Sequence, residues 1–136
     1  MKNKLIIICL LLLCNTTAYT QNKLHFDGLY HTVSDSLNPF RFYLRFYADS
    51  TVIGYGTGGN PQNLLKWFSK DHASAAKGKY VLNDAEISFA LQSEEGIVNH
   101  QGVLLPGNKL LLTVKSLINK FEAKEEYIFW QLDKLK

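Results

Sequence analysis

The residues of this 136-residue chain that could carry chemistry are few, and their spacing does not bring them together. The histidines are His25, His31, His72 and His100. No two stand four apart, the spacing that puts a metal pair on one helix face, and a zinc site needs three or four ligands. The paired acids, Glu94-Glu95 and Glu125-Glu126, are adjacent in sequence. Adjacent residues on a strand point to opposite faces, so neither pair is set up as two desolvated carboxylates sharing a proton. They read as solvated charges. There is no G-x-S-x-G nucleophile elbow. One enzymatic arrangement stays open, in which His31 or His100 meets a carboxylate through the tertiary fold. Otherwise the sequence names no catalytic residue, metal ligand or cofactor, and the chain reads as non-enzymatic.

One stretch imitates a phosphate site. Gly54-Tyr55-Gly56-Thr57-Gly58-Gly59 satisfies G-x-G-x-x-G, between an expected strand and an expected helix. In a dinucleotide site such glycines let the backbone approach the pyrophosphate, which the helix N-terminus faces. The strands around it argue otherwise. Parallel strands buried on both faces are near-continuous apolar runs, whereas Thr51 to Tyr55 is short and mixed. The glycines read as a flexible connection, or as part of a flap over a barrel mouth.

The N-terminus bounds the rest. Lys2 and Lys4 precede nine apolar residues, Leu5 to Leu13, and then the small polar stretch Asn15 to Thr20. Charge, apolar core and small-residue cleavage region are the order of a secretory signal peptide, and the run is well short of a ~20-residue membrane span. Residues 1–20 are therefore expected to be removed, leaving 21–136 as a single domain that is secreted or periplasmic. Cys14 offers an alternative, lipid anchoring of an envelope protein, and membrane attachment is expected only by that route. Cys9 and Cys14 are the only cysteines, so cleavage leaves no disulfide or thiol. It also takes the formal net charge from +3 to +1. With no basic stripe, nucleic acid is not expected as a partner.

The mature chain alternates with period two far more than with helical spacing. In Phe40 to Tyr47, Phe40, Phe42, Leu44 and Phe46 share one face, and Arg41, Tyr43, Arg45 and Tyr47 the other. Further strands are expected at Gly28–Val33, Thr51–Tyr55, Lys79–Leu82, Glu86–Leu91, Ile97–Leu105, Lys109–Ser116 and Glu125–Leu132. Asn83-Asp84 and Pro106-Gly107-Asn108 are turn signals between them. Asn60 as N-cap, Pro61 and the stripe Leu64, Leu65, Trp67 and Phe68 predict one short helix after the third strand. About eight strands with short links predict an all-β, antiparallel up-and-down barrel.

Aromatic residues beside arginine then supply the candidate binding set: Tyr30, Arg41, Tyr43, Arg45, Tyr55, Trp67, Tyr127 and Trp130. Together they would suit an anionic or amphipathic molecule, while packing in the core or on the sheet surface is the default reading of the same residues. The strand plan resembles the lipocalin-like barrels of the calycin type. Gly28-Leu29-Tyr30 opens the first strand with Tyr30 in the place of the family's Trp, Phe42 to Phe46 runs to the Asp49 turn, and Tyr127-Ile128-Phe129-Trp130 closes the chain. The resemblance implies carriage of a small hydrophobic or amphipathic ligand inside the barrel. The alternative is a surface-interaction or inhibitor protein of the envelope. An open apolar cavity marks the first. An interior filled by Phe42, Leu44, Phe46, Ile87 and Phe89, with an exposed aromatic patch, marks the second.

Overall fold

Every segment with period-two alternation becomes a strand in the computed structural model, which describes residues 22–33 and 37–133. The expected signal segment, Cys14 included, lies outside the described residues. The strands are β1 (Gly28–Thr32), β2 (Arg41–Phe46), β3 (Thr51–Thr57), β4 (Ala76–Asn83), β5 (Glu86–Ser93), β6 (Gly96–Leu105), β7 (Lys109–Ser116) and β8 (Glu122–Gln131). Each pairs antiparallel with its sequence neighbours, and β8 returns to β1 from Gly28↔Gln131 to Thr32↔Tyr127. The result is a closed eight-stranded barrel with no free edge.

Alternation sorts the side chains to two sides of the wall. Tyr30, Leu44, Phe46, Tyr80, Ile87, Phe89, Leu112 and Tyr127 belong to one buried cluster inside the barrel. Phe46 lies at its centre, making edge contacts with Tyr30, Tyr80 and Phe89 at ring separations of 5.3–5.6 Å. Leu44 and Phe46 are fully buried, Ile87 and Phe89 nearly so, and Phe42 packs against them, so the deep interior is filled.

The two ends of the barrel differ. One carries the tight β2–β3, β4–β5 and β6–β7 turns, where Ser50, Asp84 and Asn108 adopt positive φ. The segment Asn22–Asp27 closes this turn end. Leu24 is buried in the core, and the His25 ring stacks on Phe129 at 4.7 Å while its Nε2 pairs with Asn108 Oδ1 at 2.8 Å. The other end carries the β1–β2, β3–β4, β5–β6 and β7–β8 connections and is called the loop end below.

Two sequence expectations change. Gly54 and Gly56 are strand residues, not part of a flexible connection. A Cβ on Gly54 would stand 2.4 Å from Leu91 Cδ1 and 2.9 Å from Phe42 Cζ, and one on Gly56 only 2.5 Å from Phe40 Cζ. These glycines are the spaces into which neighbouring side chains pack. The helix forms where expected, as a 3₁₀ helix at Pro61–Phe68, with Asn60 Oδ1 accepting from the Gln62 N–H at 2.9 Å. It is not a flap over the mouth. It straps the outer face, where Phe68 is buried in a second cluster with Leu29, Tyr43 and Ile53. There Phe68, with Leu64 and Leu65 beside it, buries apolar surface against outward-facing strand residues.

Candidate functional site

The eight sequence-nominated residues fall on two sides of the barrel wall. Tyr30 and Tyr127 point inward. Burial pushes the Tyr30 hydroxyl up to about 12, while it accepts the His25 backbone N–H at 3.0 Å. Burial also pushes Tyr127 up, reinforced by Glu125, whose Oε2 accepts its hydroxyl at 3.0 Å. Tyr43, Tyr55, Trp67 and Trp130 lie outside and pack under or around the strap, with Tyr55 stacked on Trp67 at 5.5 Å. Arg45 holds the strap, its Nη1 donating to Phe68 O at 3.2 Å and its guanidinium lying 4.3 Å above the Tyr47 ring. Arg41 begins β2 and is half-buried. Arg41 apart, these residues pack on two sides of the wall and do not form one shared surface.

The histidines do not converge either. His31 faces outward beside Tyr43, its Nδ1 at 2.9 Å from Thr32 O, whereas His100 faces inward. Neither hydrogen-bonds a carboxylate among the described residues. Among those residues there is also no group of three or more histidine, cysteine or acidic side chains placed to hold a metal.

A different set of residues gathers at the loop end. Eight large apolar side chains are exposed among the described residues, and six of them are there: Val33, Leu37 and Phe40 from the β1–β2 connection, and Leu117, Ile118 and Phe121 from the β7–β8 connection. Local hydrogen bonds shape that second connection. Phe121 N donates to Asn119 Oδ1 at 3.1 Å, Ser116 N to Phe121 O at 2.8 Å, and Lys120 takes φ 59°. Ile118 leans over Gly96, where a Cβ would stand 2.9 Å from Ile118 Cγ1. Leu37 is 93% exposed and Leu117 61%, values that packing does not produce.

At this end, with Ile118 among its walls, lies a cleft of about 430 Å³. Phe42, Leu91 and Val98 form its floor, Gly54 and Gly56 of β3 also line it, and the exposed Glu94 and Glu95 border it. A second recess of about 360 Å³ shares Phe42 and is lined by Thr32, Phe40, Glu125 and Glu126. A groove of about 540 Å³ crosses the outer face over the small residues Ser88 and Ala90, bordered by Lys79, Lys115 and Glu122. The cleft differs from that groove in having only acidic charges on its border and in lying at the end that carries the exposed apolar side chains.

Sequence reasoning missed this end. The available signal was Leu117, Ile118 and Phe121 in a segment that connects two strands, where apolar residues have no core to enter. Comparisons with protein-family models, with curated proteins and with solved structures found no match for this chain.

Proposed function

We propose that this chain is a non-enzymatic binding module, exported from the cell, that takes an apolar or amphipathic partner at the loop end of a lipocalin-like barrel. The carrying observation is the concentration of exposed Val33, Leu37, Phe40, Leu117, Ile118 and Phe121 at one end of the barrel, where Ile118 lines the cleft and Val33 and Phe40 line the recess beside it. Contiguous apolar surface on a folded chain marks an interaction site, and a cleft of this volume is in the small-molecule range. The filled interior argues for binding at the mouth and against a ligand held deep in the barrel. A second reading, a protein-binding surface, is favoured by Leu37, Leu117 and Phe121, which line neither recess.

Native mass spectrometry of the protein purified from its own host's envelope tests both. A co-purifying small molecule supports the cleft reading, and a stoichiometric protein supports the surface reading. Either should be lost from a Phe40→Ser/Ile118→Ser variant. A bare wild-type chain, or a bound species indifferent to those substitutions, overturns the assignment of the loop end.

A further inference from the structure

The charge around the loop-end cleft narrows the partner further. The apolar floor of Phe42, Leu91 and Val98 meets the carboxylates of Glu94 and Glu95 on one side, and the recess beyond Phe42 adds Glu125. No lysine or arginine lines either space among the described residues. Lys115 pairs with Glu122 at 3.5 Å and Glu126 with Lys109 at 3.2 Å, while Lys120 in the β7–β8 connection and Arg41 at the start of β2 stand at this end without lining either space. Glu94 and Glu95 have no ion-pair partner among the described residues, and the hydrogen bond that Glu125 accepts comes from the neutral Tyr127 hydroxyl.

We propose that the cleft selects a small amphipathic cation, an amine whose apolar body lies on Phe42, Leu91 and Val98 while its charge faces Glu94 and Glu95. This rests on the loop-end binding reading and adds a sign of charge to it. A neutral apolar molecule gains only the floor. An anion of the same length meets unneutralised carboxylates at the edge, and like charges brought together disfavour binding. Because the carboxylates are exposed, the selection is salt-sensitive.

Three probes of equal chain length separate the contributions: octylammonium, octanol and octanoate, titrated into the full-length mature protein at low salt and followed by amide NMR shifts. Octylammonium is expected to bind at least about tenfold tighter than octanoate, a difference of ~1.4 kcal/mol, moving the amides of Leu91, Val98 and Ile118. Glu94→Gln/Glu95→Gln should remove that preference and leave octanol binding unchanged. Ile118→Asp, at the cleft's apolar edge, should weaken octanol. If all three probes bind the wild type equally at the cleft, the charge selection is overturned and the loop-end reading survives. If no probe moves those amides, or shifts appear only elsewhere, both fall.

Discussion

His100 is 2% exposed inside the barrel, its ring parallel to Phe89 within 10° at 4.5 Å and to Phe42 within 20° at 6.3 Å. Its Nδ1 lies 3.2 Å from Val98 O. Burial lowers its pKa from 6.5 to about 4, outweighing that hydrogen bond. Above pH 6.5 the ring is neutral in both folded and unfolded chains and contributes no pH dependence. Between 6.5 and about 4 only the unfolded chain takes the proton, so stability falls as pH falls, and it levels off below. The full difference is about 3 kcal/mol. Urea midpoints measured from pH 7.5 to 4 should show a steeper acid loss for the wild type than for His100→Phe. Equal slopes would remove His100 as the cause. The sequence made His100 visible as a titratable strand residue and no more. Alternation says that His31 and His100 each have a face, but which face is interior depends on partners far away in the chain. Tyr43 makes the same point: its face looks solvent-exposed beside Arg41 and Arg45, yet it is 2% exposed because another element covers it.

That element is the strap between β3 and β4. Its N-cap, its proline and its apolar stripe were legible, since each is a local feature. Its position was not, because Leu64, Leu65, Trp67 and Phe68 say that one side is buried without saying against what. Phe68 anchors it, fully buried against Leu29, Tyr43 and Ile53, with its carbonyl accepting from both Arg45 and the Tyr47 hydroxyl. Phe68→Ala should cost about 3–5 kcal/mol. Hydrogen exchange should report lost protection in residues 61–75 before any loss in β5–β8. Uniform loss across the barrel would mean that the strap and the wall are one cooperative unit. The Asp49–Lys70 pair at 2.7 Å is the contrasting case. Lys70 holds the Asp49 carboxyl well below the usual range, yet both side chains are 48% exposed. Asp49→Asn should leave the melting temperature nearly unchanged, as exposed pairs contribute little.

At the scale of the molecule, the barrel divides its work between its ends: Asn22–Asp27 and three tight turns seal one, and longer connections carry the exposed apolar rim at the other. Strand number and order were readable from turn signals and alternation, because up-and-down neighbours follow from short links. The asymmetry of the ends was not, since exposure at the loop end depends on what the rest of the chain leaves uncovered. Ending the chain before Glu122 removes β8 and leaves β1 and β7 with unpaired edges. Size-exclusion chromatography should find that truncation aggregated, and a folded monomer would show that closure is dispensable. The β1–β8 seam also constrains the route to the native state. Gln131 Nε2 donates to Asp27 Oδ2 at 3.0 Å across 104 positions of chain. Contacts that distant in sequence repay their loop-closure entropy only once nearly everything is in place, which puts folding in the slow, millisecond-to-second class of high contact order. A chain delivered residue by residue therefore has no closed intermediate to settle into until its last strand arrives, and every earlier length of it carries an unpaired edge.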